Sequence, residues 1–141
     1  VYPFPEPHIA DLNFSFSGLK TAFLYFIQKQ QKENPDFILQ HLNDICASIQ
    51  DRIISVLMHK LLTAAEKFDI KNIAIAGGVS SNSGLRNALT EYGKQHHWNI
   101  FIPKFEYCTD NAAMIAAVAH HKFLKNDFAG LDLIPVARMQ F

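Results

Sequence analysis

Residues 73 to 86, Ile-Ala-Ile-Ala-Gly-Gly-Val-Ser-Ser-Asn-Ser-Gly-Leu-Arg, constrain the fold more than any other stretch of this chain. Four apolar residues, two of them β-branched, run into Gly77 and Gly78, and small polar residues then lead into a basic amphipathic segment. That order reads as a buried strand at 73–76, a glycine turn and the start of a helix. In an α/β protein the carboxyl end of such a strand is where ligands gather, because backbone amides and the positive end of the next helix point there. The two glycines let a ligand approach the main chain with no Cβ in the way. The same glycines also suit a turn with no other duty.

The rest of the chain extends the helix–strand alternation. The prolines at 3, 5 and 7 hold the lead extended, and Asn13-Phe-Ser-Phe16 alternates in the manner of a short strand or sheet edge. Leu19, Ala22, Phe23, Phe26 and Ile27 then share one helical face, with Ser15 or Ser17 as the expected cap and Asn34-Pro35 as the stop. Asn34-Pro35-Asp36 restarts a helix that holds its period from 37 to about 67 without Gly or Pro. A straight helix of that length is about 45 Å long, so a break is expected around 39–43. A further helix carries Leu85, Ala88, Leu89 and Tyr92 and is expected to end near Gly93, followed by a strand at 98–102 closed by Pro103. The last element is an alanine-rich helix over 110–124, ahead of a short apolar tail from Leu133 to Phe141. The pattern predicts one α/β domain over residues 1–141, a parallel or mixed sheet flanked by helices.

Thirteen Lys and Arg balance thirteen Asp and Glu, so the chain as a whole has no electrostatic attraction for nucleic acid. Twelve phenylalanines are many for 141 residues, which suggests that some cover a surface a partner hides. Cys46 and Cys108 are widely spaced and are expected to be reduced, buried thiols of a cytoplasmic protein. No apolar run approaches the roughly 18 residues of a membrane span, so no membrane partner is expected. The opening Val1-Tyr-Pro-Phe-Pro, with no initiator Met, reads as a piece of a longer polypeptide.

Two places suit chemistry. At the Gly77–Gly78 turn an anionic ligand, a nucleotide phosphate or acyl phosphate, would lie on the loop amides, and the Asn82 amide would meet a ribose or base edge. This is neither a Walker loop nor a GxGxxG fingerprint. In Tyr107-Cys-Thr-Asp-Asn-Ala-Ala-Met114, Asp110 stands at a helix start, where it is either an N-cap or a ligand for a metal. The seven histidines have no metal-site spacing, since His96-His97 and His120-His121 are adjacent pairs whose members face different ways on a helix. No G-x-S-x-G elbow occurs.

Three segments, Phe14-Ser-Phe-Ser-Gly-Leu-Lys-Thr21, Ala76-Gly-Gly-Val-Ser-Ser-Asn-Ser-Gly-Leu-Arg86 and Tyr107-Cys-Thr-Asp-Asn-Ala-Ala-Met-Ile-Ala116, resemble the motifs of the TsaD family, in the order and at spacings similar to those of its carboxyl-terminal half. The family makes threonylcarbamoyladenosine in tRNA and was formerly described as O-sialoglycoprotein endopeptidase, or glycoprotease. The resemblance implies the second lobe of an actin/sugar-kinase/Hsp70-like, ribonuclease H-like ATPase fold with a mixed sheet, the amino-terminal lobe being absent here. It implies transfer of a threonylcarbamoyl group from threonylcarbamoyl-adenylate to the adenosine beside the anticodon, with tRNA and the other subunits of the transfer complex as partners. Asp110 matches the aspartate that joins two histidines around one iron or zinc ion, those histidines belonging to the absent lobe. Asn82 matches the asparagine that contacts the adenylate or an ATP-type nucleotide, and Gly77 and Gly78 match the turn of the nucleotide cleft. Asn13 stands where the family has Asp, and Ser83-Gly84 replaces an Arg-containing continuation. With one carboxylate and no second lobe, this chain alone is expected to be catalytically silent. An interaction or nucleotide-binding lobe without transferase activity is the alternative, and a metal-dependent glycoprotease a third reading that no nucleophile arrangement supports.

Overall fold

The computed structural model describes residues 2–7, 9–134 and 136; of the apolar tail, Pro135 and residues 137–141 lie outside the described residues. The element order is helix α1 (Ser17–Glu33), helix α2 (Phe37–Phe68), strand β1 (Asn72–Ala74), a 3-10 turn (Gly78–Ser81), helix α3 (Ser83–His96), strand β2 (Asn99–Phe101), a second 3-10 turn (Phe105–Tyr107) and helix α4 (Ala112–Leu124).

The alternation at 13–16 does not become a strand. Among the described residues no neighbouring strand offers a ladder there, and the Phe14 and Phe16 rings instead stack on each other, 6.3 Å apart and 8° from parallel. Neither Ser15 nor Ser17 caps α1: Phe16 holds the cap position without a side-chain bond. Asn34 ends the helix and turns the chain, its Oδ1 accepting the Asp36 amide at 3.0 Å and its Nδ2 donating to Gln40 Oε1 at 2.9 Å. α2 leaves helical geometry at His41 (φ −124°, ψ 18°), inside the window expected for a break. The lead packs back over this helical pair. Phe4 is buried, its ring 5.5 Å from Phe23 and 5.4 Å from Phe26, and the Tyr2 amide donates to Ser48 Oγ at 2.9 Å. Lys60 donates to the carbonyls of Ile9 and Asp11, which pins the following loop to α2.

β1 and β2 pair in parallel, Asn72 opposite Asn99 and Ala74 opposite Phe101. The mixed sheet expected from the sequence is, among the described residues, this parallel pair alone, with each strand three residues long. α3 is the crossover between them. It does not stop at Gly93 but runs on to His96, and His97 in the left-handed conformation (φ 55°) ends it. Gly93 serves packing instead: a Cβ there would lie 2.5 Å from Ile100 Cγ1, so glycine is what lets α3 lie against β2. The core joins Met58 and Ala65 of α2 to Ile73 of β1 and Leu85 and Leu89 of α3, with Tyr92, Trp98 and Ile100 around it. Burying Leu89 fully is worth roughly 1.5–3 kcal/mol. Cys108 is buried as expected, but Cys46 is exposed on α2, because the helix turns that position away from its packed face. The whole is an α/β arrangement in which helices cover a small parallel sheet.

Candidate functional site

β1 delivers the chain to Gly77, whose φ of 78° is a left-handed value that favours glycine. Both Gly77 and Gly78 are exposed, and a Cβ built at either meets nothing within 4 Å. The turn holds its own shape. The Ser80 amide and hydroxyl both donate to the Gly77 carbonyl, at 3.0 and 2.7 Å, and the Asn82 amide donates to Val79 O at 3.0 Å. Ser80 is almost wholly buried. The turn does not run straight into a helix as the sequence pattern predicts: a 3-10 turn intervenes, and α3 starts only after Asn82.

Asn82 caps that helix. Its Oδ1 accepts the Leu85 amide at 3.0 Å, and its Nδ2 donates to Gln50 Oε1 of α2 at 3.2 Å. The side chain offered as a ligand contact therefore already closes an orphan amide at the start of α3, one Nδ2 hydrogen remaining for a further acceptor.

Asp110 is exposed, and α4 begins two residues after it. The capping role considered for Asp110 falls to Asn111, whose Oδ1 accepts the Met114 amide at 3.0 Å while its Nδ2 donates to Thr109 O at 2.9 Å. The Asp110 carboxylate is thus left out of the cap. The preceding 3-10 turn closes through the Cys108 amide, which donates to Phe105 O at 3.2 Å, and buries the Cys108 thiol.

A residue that sequence reasoning passed over ties these segments together. Arg86, in the first turns of α3, donates from Nε to Ser80 O at 2.6 Å and from Nη2 to Pro103 O at 2.8 Å and Cys108 Sγ at 3.1 Å. Its guanidinium lies over the Phe105 ring, 3.9 Å from the centroid. The glycine turn and the loop that carries Asp110 are thereby joined through one side chain. The signal was present in the sequence as a cation near the amino end of a helix, where the dipole disfavours it. The first motif joins the same end of the molecule. Phe16, Leu19, Lys20 and Phe23 of α1, with Ile49, Ile53 and Leu57 of α2, line an open apolar groove of about 500 Å³ that Val79 of the glycine turn completes.

Two of the histidines pack against aromatic rings. His96 stacks on Tyr92 and Trp98, and His41 packs against Phe37 at the break in α2. Among the described residues no group of three His, Cys, Asp or Glu side chains could enclose a metal ion. One exposed carboxylate is not a donor set for iron or zinc, so this chain by itself does not fit the metal that the resemblance implies. Among the described residues no helix is long and apolar enough to cross a membrane.

Residues 1–117 match the model of the TsaD family, tRNA N6-adenosine threonylcarbamoyltransferase. Curated relatives with that name are 52% identical over 139 residues in Cytophaga hutchinsonii and 51% identical over 140 residues in Christiangramia forsetii, each match covering 99% of this chain. The Porphyromonas gingivalis relative is 46% identical over 138 residues. The chain spans only 40%, 41% and 40% of those relatives' own lengths. Glycine turn, Arg86 and the Cys108–Asp110 loop all fall within the matched region, and on that match the chain belongs to the TsaD family.

Proposed function

We propose that this chain is the carboxyl-terminal lobe of a longer two-lobe, actin/sugar-kinase/Hsp70-like protein, and that the intact protein transfers a threonylcarbamoyl group from threonylcarbamoyl-adenylate to the adenosine beside the anticodon of tRNA. The glycine turn is the wall on which the adenylate lies. The first amides of a 3-10 turn have no partner inside it, so those of Gly78 and Val79 are the donors suited to a phosphate. Asn82 turns its remaining amide hydrogen to the nucleoside, and the apolar groove beside Val79 has the volume of a small-molecule site. Asp110 is one ligand of an iron or zinc ion whose histidine ligands lie outside this chain. That ion, when bound, supplies Lewis-acid polarisation. The observation that carries the reading is the displacement of the α4 cap onto Asn111, which leaves the Asp110 carboxylate uncommitted at the end of a loop tied to the glycine turn. Its tRNA substrate makes the cytoplasm the compartment in which the intact protein works.

The test uses the full-length protein with its partner subunits. Asp110→Ala is expected to lower bound iron or zinc and abolish threonylcarbamoylation of tRNA while the far-UV circular dichroism is unchanged. Normal metal loading in that variant would remove the ligand role. The 141-residue chain alone is expected to give no modified tRNA.

A further inference from the structure

Arg86 is placed unlike an ordinary surface arginine. It stands four residues after the Asn82 cap, and its own amide donates to Asn82 O at 3.1 Å. A positive side chain so near the amino end of a helix opposes the helix dipole. None of the ion pairs among the described residues includes it, so no carboxylate there offsets its charge. What its guanidinium meets instead are two carbonyls, a thiol sulfur and an aromatic face, drawn from two separate segments. Nε reaches back to Ser80 in the glycine turn, and Nη2 reaches across to Pro103 and Cys108. The planar fork of arginine spans these acceptors at once, which a single ammonium cannot do with the same geometry.

We propose that Arg86 is a positioning residue for the transfer reaction: it sets the register between the glycine turn, which holds the adenylate, and the adjoining Cys108–Asp110 loop. The proposal rests on the transferase reading above. A ligand that touches only the glycine turn does not need the register. The reaction needs both segments at their correct separation, and a misplacement of about 1 Å costs on the order of 10²-fold in rate. Cys108 is the far anchor of the same device, its thiol also lying 3.4 Å from Lys104 O, to which it donates.

The experiment compares Arg86→Lys, Cys108→Ala and the double variant with the wild type in the full-length protein. AMP is the binding probe, and tRNA threonylcarbamoylation gives kcat and KM. Arg86→Lys is expected to melt near the wild-type temperature, to bind AMP with unchanged affinity and to lose about 10²-fold in kcat with little change in KM. Cys108→Ala is expected to lower kcat alone but to add nothing further in the Arg86→Lys background, since both act through one link. Wild-type kcat in Arg86→Lys would overturn the proposal, as would parallel loss of AMP binding, kcat and thermal stability, which marks a purely structural role. If the wild type neither binds AMP nor modifies tRNA, the transferase reading fails by itself. Amide exchange then decides the link: faster exchange at residues 104–108 in Arg86→Lys upholds it, and unchanged exchange there overturns it.

Discussion

Two asparagines, Asn82 and Asn111, do the same local work at the starts of α3 and α4, and the contrast between them bears on the site. Asn111 relieves its neighbour Asp110 of capping. Asn82 has no such neighbour and is both cap and candidate ligand contact, so replacing it by alanine removes two things together. Asn82→Ala is expected to cost about 1 kcal/mol of stability through the lost cap. Asn82→Asp keeps an acceptor for the Leu85 amide and suits the positive end of the helix. It also removes the amide donor and brings a negative charge to an anionic ligand. Asn82→Asp is therefore expected to retain wild-type thermal stability while AMP affinity falls, as titration calorimetry on the full-length protein would show. Unchanged affinity in that variant would reduce Asn82 to its capping role.

α3 carries a similar lesson at the level of the element. Gly93 sits inside a helix, where alanine is better by about 1 kcal/mol on propensity alone. Its missing side chain is the space Ile100 occupies, so Gly93→Ala is expected to destabilise by about 1–3 kcal/mol of overpacking, measured by urea denaturation. The sequence led to Gly93 as a stop signal because glycine after a periodic run usually is one. Packing against β2 is a relation between residues 93 and 100 that no local pattern reveals. By contrast, the break at His41 was legible from helix length, and α1, α2, α3 and α4 from apolar spacing. Asn13 to Phe16 misled because alternation describes a strand only when a neighbour supplies the ladder. At the site, Gly77, Gly78, Asn82 and Asp110 could be picked out as residue types in suitable places. The Arg86 link could not, since its partners Ser80, Pro103 and Cys108 converge only in the folded chain.

Across the whole molecule, the accessible surface is 11091 Å², against about 7,400 Å² for a compact monomer of this mass. The chain thus exposes more surface than a compact monomer of its mass. One patch of that apolar exposure is α4, where Met114, Ile115, Val118 and Phe123 are all open and no residue is buried. The 141-residue chain is expected to bind the hydrophobic dye ANS strongly at neutral pH, and a polypeptide spanning the relatives' full length to bind much less. A dark dye with the short chain would mean that α4 is already covered. The parallel pairing of β1 and β2 also bears on the order of assembly. The Asn72–Asn99 bond closes a separation of 27 residues, whereas the lead reaches α2 across 46 at Tyr2 and 51 at Ile9. Shorter closures cost less chain entropy and come earlier. The β1–α3–β2 unit is therefore expected to gather before the lead docks on α2.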